Sequence, residues 1–120
     1  MHIEKDLVAA AATPLVLGIL AEGESYGYAI LKRVTDMSGG RLQWTDGMLY
    51  PLLHRLERLG YVSSAWGSSD TGRRRKHYAI TPTGREVLVE RQAQWAVVAA
   101  ALQQVWHSVQ TPPAVAEGWA

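Results

Sequence analysis

Residues 44–80 constrain the fold most, because an apolar helix pattern there is followed by two strand-like runs around a basic loop. The apolar residues of the helix recur at the spacing of a helix that buries one face. They are Met48, Leu49, Leu52, Leu53, Leu56 and Leu59. Thr45 is placed to cap the start of this helix, and Gly60 is placed to end it. The sequence therefore predicts an amphipathic helix directly before a β-hairpin.

The opposite face of this helix carries hydrogen-bonding and cationic groups. At about 100° per residue, it presents Gly47, Tyr50, Pro51, His54 and Arg58. One interpretation is that Tyr50, His54 and Arg58 reach base edges or phosphates of a nucleic acid. The alternative is an ordinary hydrated surface.

The predicted hairpin consists of strands at 61–66 and 77–80, with a glycine-bounded turn between them. The turn is followed by four consecutive cations, Arg73, Arg74, Arg75 and Lys76. Like charges repel one another and add nothing to a core, so an anionic partner would explain their placement. The alternative is a solvated hairpin tip. Because alternate residues of a strand point to opposite sides, only some of these cations would contact phosphate.

Charge is distributed unevenly along the 120 residues, although the net charge is only +1. Residues 41–91 hold nine Lys and Arg residues against five Asp and Glu, whereas residues 1–40 hold three against five. A positive central third suits a surface that binds a polyanion. The length indicates one domain with a modest core, which a partner subunit can complete.

The first 40 residues predict two further helices. Residues 1–21 are apolar nearly all round, so a second subunit is expected to cover them. Thr13 and Pro14 fit either one kinked helix or a short arm followed by a helix. Ser25 is predicted to open the next helix, which Gly39 and Gly40 end. Residues 25–59 then form a helix, a short connection and a helix, the unit that places its second helix in the DNA major groove.

The longest predicted helix begins at Thr81 and Pro82. Its seam positions alternate steps of four and three, the spacing of a coiled coil. They are Leu88, Gln92, Trp95, Ala99, Leu102, Trp106 and Val109. A lone helix cannot hide this much apolar surface, so a homodimer of C2 symmetry is expected. The dimerisation candidates are Leu88, Ala99, Leu102 and Trp106. The tail at 111–120 is predicted to be disordered.

Catalytic and metal-binding patterns are missing from the sequence. It has no cysteine, and its histidines (His2, His54, His77 and His107) lack metal-ligand spacing. Neither a nucleophile elbow nor a phosphate-cradling glycine loop is present. We therefore expect neither an enzyme nor a metal or other cofactor. Glu4 and Asp6 interrupt any cationic signal-peptide lead, and no apolar segment is long enough to span a bilayer, so a cytoplasmic protein without a membrane partner is expected.

Several short motifs follow one another along the chain: TPL at 13–15, YGY at 26–28, GMLYPLLHRLE at 47–57, GYV at 60–62, GRRRKHY at 72–78 and ITPTG at 80–84. In this order and spacing they resemble the PadR family of bacterial transcription regulators. The resemblance covers about residues 10–95. One departure is Met48, where relatives usually carry a small hydroxyl residue.

The resemblance implies a mainly α fold with a small β-hairpin, namely a winged helix-turn-helix domain plus a long C-terminal dimerisation helix. Its DNA-binding domain would occupy residues 1–80 and the dimerisation helix residues 81–110. Such a dimer would bind a pseudo-palindromic operator in double-stranded DNA and repress transcription until a small hydrophobic or phenolic effector releases it. The expected DNA-binding residues are Thr45, Tyr50, His54, Arg58, Arg73, Arg74, Arg75 and Lys76.

Trp95 is the expected ligand-binding residue. By ungapped counting from Arg75 and Lys76, it falls where multidrug-binding PadR proteins carry the tryptophan that stacks flat aromatic ligands across the dimer pore. The alternative for Trp95 is plain packing at the helix seam. For the whole chain, the competing hypothesis is a dimeric ligand-sequestering or protein-interaction module whose winged helix no longer binds DNA, which the departure at Met48 favours.

Overall fold

The computed structural model describes residues 1–68 and 71–110, and it is mainly helical with one small antiparallel sheet. In chain order the elements are α1 (Lys5–Glu22), β1 (Ser25–Tyr26), α2 (Gly27–Met37), α3 (Asp46–Arg58), β2 (Val62–Ser68), β3 (Arg74–Ile80) and α4 (Pro82–Gln110). The predicted class, mainly α with a small β-hairpin, is confirmed. Part of the hairpin turn, at 69–70, and the tail at 111–120, predicted to be disordered, lie outside the described residues.

Helix α1 is one continuous helix that passes through Pro14, so the arm-plus-helix alternative is wrong. Its second half carries the buried residues, Val16, Leu17, Ile19 and Leu20, whereas Leu7 in the first half keeps 54% of its surface exposed. Val8 in the first half packs against the core, but the side that carries Leu7 is left uncovered within a single chain.

The sheet has the strand order β1-β3-β2, and its first strand was not predicted. Ser25 does not open a helix: it pairs with Tyr78 and Tyr26 pairs with His77, and α2 begins at Gly27. The helical spacing of Tyr26 with the later residues of α2 hides this strand. A two-residue strand exists only because β3, remote in sequence, supplies its partner.

Strands β2 and β3 are longer than predicted. Their register pairs Trp66 with Lys76 and Ser68 with Arg74, so three of the four cations belong to the strand. The prediction that placed Arg74, Arg75 and Lys76 in a loop is therefore wrong. Only Arg73 precedes the strand. Backbone pairing with β2 outweighs the repulsion between neighbouring cations, because alternating side chains carry these charges to opposite faces.

The core lies in the first of two compact units, which runs from Met1 to Val89. Its fully or nearly fully buried apolar side chains come from α1, α2, α3 and the sheet: Val16, Leu17, Ile19, Leu20, Ile30, Val34, Trp44, Leu49, Leu52, Leu53, Leu56, Val62 and Tyr78. The predicted buried face of α3 is confirmed at its four inner leucines. It is wrong for Met48 and Leu59, which are 45% and 52% exposed. Met48 lies at the edge of the apolar stripe, and Leu59 follows the last residue of the helix.

Thr81 ties the start of α4 to the turn that ends α3. Gly60 has φ +80° there, as expected for a helix-ending glycine. The hydroxyl of Thr81 donates to the Gly60 carbonyl at 2.6 Å, and its backbone N–H donates to the Tyr61 carbonyl at 3.0 Å. The N–H of Gly84 in turn donates to the Thr81 hydroxyl at 3.0 Å. A Cβ atom on Gly84 would lie 2.0 Å from the Tyr61 carbonyl oxygen, so only glycine permits this approach.

The second compact unit begins at Glu90, within α4. In the described part of that unit, large apolar side chains are 40–75% exposed. They are Val97, Val98, Leu102, Val105, Trp106 and Val109. By contrast, Val87 and Leu88, at the end of the first unit, pack against its core.

Candidate nucleic-acid interface

Helix α3 turns its apolar side to the core and its polar side to solvent. The exposed side includes Gly47, Tyr50, Pro51, His54, Arg55 and Arg58, with both arginines in the last turn. Thr45 occupies the N-cap position, and its carbonyl accepts from the N–H groups of Met48 and Leu49, each at 3.1 Å. Its hydroxyl makes no capping hydrogen bond. The capping position of Thr45 is thus confirmed, although its side chain does not perform the cap.

Tyr50 links α3 to α2. A Cβ atom on Gly27 would lie 2.1 Å from the phenol oxygen of Tyr50, so the phenol occupies the space that a side chain would take. Tyr50 remains 36% exposed, and its ring centroid lies 6.5 Å from that of His54. The tyrosine therefore packs between helices with one end and reaches the exposed face with only part of its ring.

The hairpin is attached to α3 near the end of the helix. The hydroxyl of Ser64 on β2 donates to the Glu57 carboxylate. Beside this contact, the Tyr78 ring of β3 is 1% exposed, and its hydroxyl has no hydrogen-bond partner among the described residues. Burial raises the pKa of Tyr78, and the negative charge of Glu57 raises it further. Helix and hairpin are thus fixed together by a packed junction.

The hairpin carries its cations on two faces. The inner face carries both the core contact and the contact with α3, and its residues are Val62, Ser64, Trp66, Ser68, Arg74, Lys76, Tyr78 and Ile80. On this face the Arg74 guanidinium lies 5.0 Å from the Trp66 ring centroid, and the Lys76 ammonium lies 6.0 Å from it. The division of the basic run between two faces is therefore as the strand geometry predicts.

The outer face of the sheet includes Tyr26, Arg75 and His77. The Arg75 guanidinium lies 3.8 Å from the Tyr26 ring centroid, and the rings of Tyr26 and His77 meet edge to face at 5.8 Å. His77 Nδ1 lies 3.7 Å from a carboxylate oxygen of Glu24. Arg75 is thus held against an aromatic ring on the outer face and is partly buried, whereas Arg73 and Arg74 are exposed.

All eight sequence-predicted DNA-binding residues lie in the first unit, on α3, at its N-cap or on the hairpin. Of the other predicted residues, Trp95, Ala99, Leu102 and Trp106 lie in the second unit, and Leu88 packs against the core of its own chain. Sequence reasoning missed Trp66, whose place beside two cations depends on the strand register. The available signal was a large aromatic residue at the end of the strand-like run before the turn, with the basic run directly after the turn.

No group of three metal-ligating side chains comes together at residues 1–68 or 71–110. No helix in these same ranges combines the length and hydrophobicity that a bilayer crossing requires.

A helix pair whose second helix stands beside a small sheet with a basic hairpin defines a winged helix-turn-helix protein. Known protein families and solved structures share this arrangement. The profile of the transcriptional regulator PadR-like family matches residues 16–90. A transcriptional regulator from Clostridium thermocellum superposes with a TM-score of 0.76 at 29% identity, over 83% of this chain and 97% of its own. A PadR family transcriptional regulator from Eggerthella lenta gives a TM-score of 0.73 at 34% identity, over 84% and 86%.

A curated protein of Lysinibacillus sphaericus, described as uncharacterized, is 27% identical over 96 residues, which are 80% of this chain and 88% of that protein. The chain belongs to the PadR-like family of transcriptional regulators. It is therefore a DNA-binding regulator and not an enzyme, and both the family resemblance and the winged-helix fold predicted from the sequence are confirmed.

The buried phenol of Tyr78 predicts loss of stability at alkaline pH. Because its pKa is raised in the folded state, the folded protein keeps this proton while the unfolded chain releases it near pH ~10. The part of the stability that depends on the protonated phenol of Tyr78 is thus fully present below pH ~10, and it is lost as the pH rises through the folded-state pKa. We expect Tyr78→Phe to raise the free energy of unfolding by about 1 kcal/mol at neutral pH, since it removes a buried hydroxyl without a described partner.

Urea unfolding at pH 7 and at pH ~10.5 measures both effects. The Phe variant should lose less stability between the two pH values than the wild type. Tyr28→Phe, at a residue that is 69% exposed, is the matched control and should behave as the wild type. Equal alkaline loss in all three proteins would contradict this role of Tyr78.

Proposed function

We propose that this chain is a homodimeric repressor that binds a pseudo-palindromic operator in the cytoplasm and is released by a small hydrophobic or phenolic ligand. Residues 1–80 form the DNA-binding domain in this proposal, and residues 81–110 form the dimerisation helix. The observation that carries it is the cationic surface of one compact unit, in which the polar face of α3 and the inner face of the hairpin flank the same packed junction.

Helix α3 is the element that enters the major groove. Its exposed His54 and Arg58 are suited to base edges, because neither is held by a contact with the core. The Thr45 hydroxyl and the free N–H groups of the first turn are suited to a phosphate at the helix N-terminus. Tyr50 contributes mainly by positioning, since its phenol is seated against Gly27.

The hairpin is the wing, and Arg73, Arg74 and Lys76 are its phosphate-binding residues. Arg73 and Arg74 are exposed, and Lys76 shares the inner face with Arg74. Arginine is well suited to this role because its planar guanidinium forms paired hydrogen bonds with phosphate oxygens. Arg75 belongs to the same basic run, but its guanidinium stacks on Tyr26.

A second copy of the chain covers the exposed part of α4. Six large apolar side chains between Val97 and Val109 are 40–75% exposed, which is unfavourable for a helix left in water. Ala99, Leu102 and Trp106 contribute the closest contacts in this proposal, as expected for positions on a coiled-coil seam. Leu88 supports the helix from within its own chain. A symmetric pair would present two α3 helices to half-sites about 34 Å apart.

The ligand acts at the seam of this dimer. Trp95 lies on α4 and is half-buried. If the two α4 helices pair across a two-fold axis, their two indoles would flank a slot for a planar apolar molecule. A ligand that favours one arrangement of the paired helices changes the separation of the α3 helices, and half-site spacing tolerates little change. To reverse occupancy, from mostly bound to mostly free, it needs about 5 kcal/mol of differential affinity.

DNA binding is tested by selecting duplexes from a random library and measuring their affinity by fluorescence anisotropy at several salt concentrations. We expect a sequence-selective complex that weakens steeply as salt rises, because phosphate contacts release counterions. Arg58→Ala should weaken the selected complex about tenfold or more and relax its sequence preference, since a base contact is worth about 1–3 kcal/mol.

Arg85→Ala is the matched control, because it removes the same charge from the exposed start of α4. It should keep the affinity within about threefold, the change expected from a distant charge. If the wild type forms no selective, salt-sensitive complex, the proposed operator binding is wrong, and a ligand-sequestering or protein-interaction module is favoured instead.

The ligand slot is tested by titrating planar aromatic dyes and following tryptophan emission. Trp95→Ala should abolish most of the quenching, whereas Trp106→Ala should retain it, because only Trp95 lines the proposed slot. Sedimentation of both variants checks that they remain dimeric. Equal loss of quenching in two dimeric variants would contradict a specific site at Trp95.

A further inference from the structure

Trp66 stands on the side of the hairpin that looks toward α3. Along β2, Val62 packs in the core and Ser64 bonds to Glu57 of α3, and both belong to the inner face. Trp66 is the next residue on that face, roughly 6.6 Å further along the strand at about 3.3 Å per residue. It lies beyond the edge of the core and is 60% exposed. The indole thus lies outside the core, on the side of the hairpin that contacts α3.

Two cations flank this indole. Lys76 is its cross-strand partner, and Arg74 is paired with Ser68 one step further out on the same face. Their charged groups lie 6.0 Å and 5.0 Å from the ring centroid, within the range of cation–π attraction. The aromatic ring therefore holds both cations close to one apolar surface, an arrangement of alternating aromatic and cationic groups that suits a nucleic-acid backbone.

The neighbouring Arg75 provides a contrast within the same strand. It points to the outer face, where its guanidinium lies 3.8 Å from the centroid of the half-buried Tyr26 ring. The guanidinium of Arg75 is therefore held against an aromatic ring of the sheet, whereas the inner face, with Arg74, is the side that contacts α3. Arg74 and Arg75 thus carry the same charge on adjacent residues but lie on opposite sides of the hairpin.

We propose that Trp66 is a DNA-contacting residue, whose indole packs against deoxyribose in the minor groove beside the site read by α3, while Arg74 and Lys76 bind the flanking phosphates. This inference rests on the proposed function. With α3 in the major groove, the inner face is the face of the hairpin on the side of the adjacent phosphate ridge, because it contacts α3 through Ser64. Sugars present apolar C–H surface to an aromatic ring, and phosphates present charge to the two cations. Arg75, on the outer face, serves to hold the edge of the sheet.

The first test compares duplex affinity, on the selected operator, across substitutions in the hairpin. Trp66→Ala should weaken binding about tenfold, the size expected when an aromatic contact with nucleic acid is removed. Trp66→Phe should stay within about threefold, because a smaller aromatic ring keeps the contact. Arg74→Ala should weaken binding more than Arg75→Ala and reduce the salt slope by about one unit, since it alone loses a phosphate contact.

The second test asks whether Trp66 is covered in the complex, which a merely structural role would not produce. Acrylamide quenches exposed indoles, so duplex should protect part of the tryptophan emission of the wild-type protein. This protection should be absent in Trp66→Phe, which still binds. Circular dichroism and sedimentation of each variant confirm that fold and assembly are retained.

Wild-type affinity in Trp66→Ala, together with equal protection in Trp66→Phe and wild type, would overturn the contact at Trp66. If the operator complex still depends on Arg58 in that case, only this inference fails and the proposed function stands. If the wild type binds no duplex selectively, the inference and the proposed function both fail.

Discussion

The whole interface depends on how α3 is seated on the core. Four leucines, Leu49, Leu52, Leu53 and Leu56, are almost fully buried along one side of the helix, and their burial is the main reason that it holds one orientation. Tyr50 adds a second constraint, because its phenol fills the space left open at Gly27, the first residue of α2. A rotation of α3 about its axis would break both contacts. The exposed face is thus fixed by what lies beneath it.

The position of the hairpin depends on the same packing of α3 against the core. Strand β3 is paired on both edges, with β1 on one side and β2 on the other, and Ser64 joins β2 to Glu57 of α3. Tyr78 of β3 is buried in the core. These contacts hold the paired strands in place before DNA binds. Binding therefore costs the strands little conformational entropy, and this preorganisation favours affinity. The cations on its inner face are therefore held on the side of the hairpin that contacts α3.

The sequence predicts much of this arrangement because local signals and tertiary contacts agree in α3. The leucine spacing, the capping position of Thr45 and the helix-ending Gly60 are each local, and each is found in the structure. The order of helices and hairpin is local in the same sense. The family resemblance then supplied the winged-helix arrangement that no single element encodes.

Other features could not be read from the chain, because they depend on partners remote in sequence. Strand β1 has only two residues, and it forms because Tyr78 and His77 pair with it. The stacking of Arg75 on Tyr26 follows from that pairing, and the stacking of Arg74 on Trp66 follows from the register of the hairpin. Strand alternation predicted that the basic run would divide between two faces, but which cation lies beside which aromatic ring depends on this pairing and register.

The central claim is that the outer side of α3 and the inner face of the hairpin form one DNA-binding surface. Amide chemical-shift mapping by NMR, with operator duplex titrated into labelled protein, tests it most directly. The account predicts shifts at the N-terminus of α3, at His54 and Arg58, and at Trp66, Arg74 and Lys76, with small changes among the buried leucines. Shifts confined to the part of α4 that begins at Glu90, or absent from α3 and the hairpin, would contradict it.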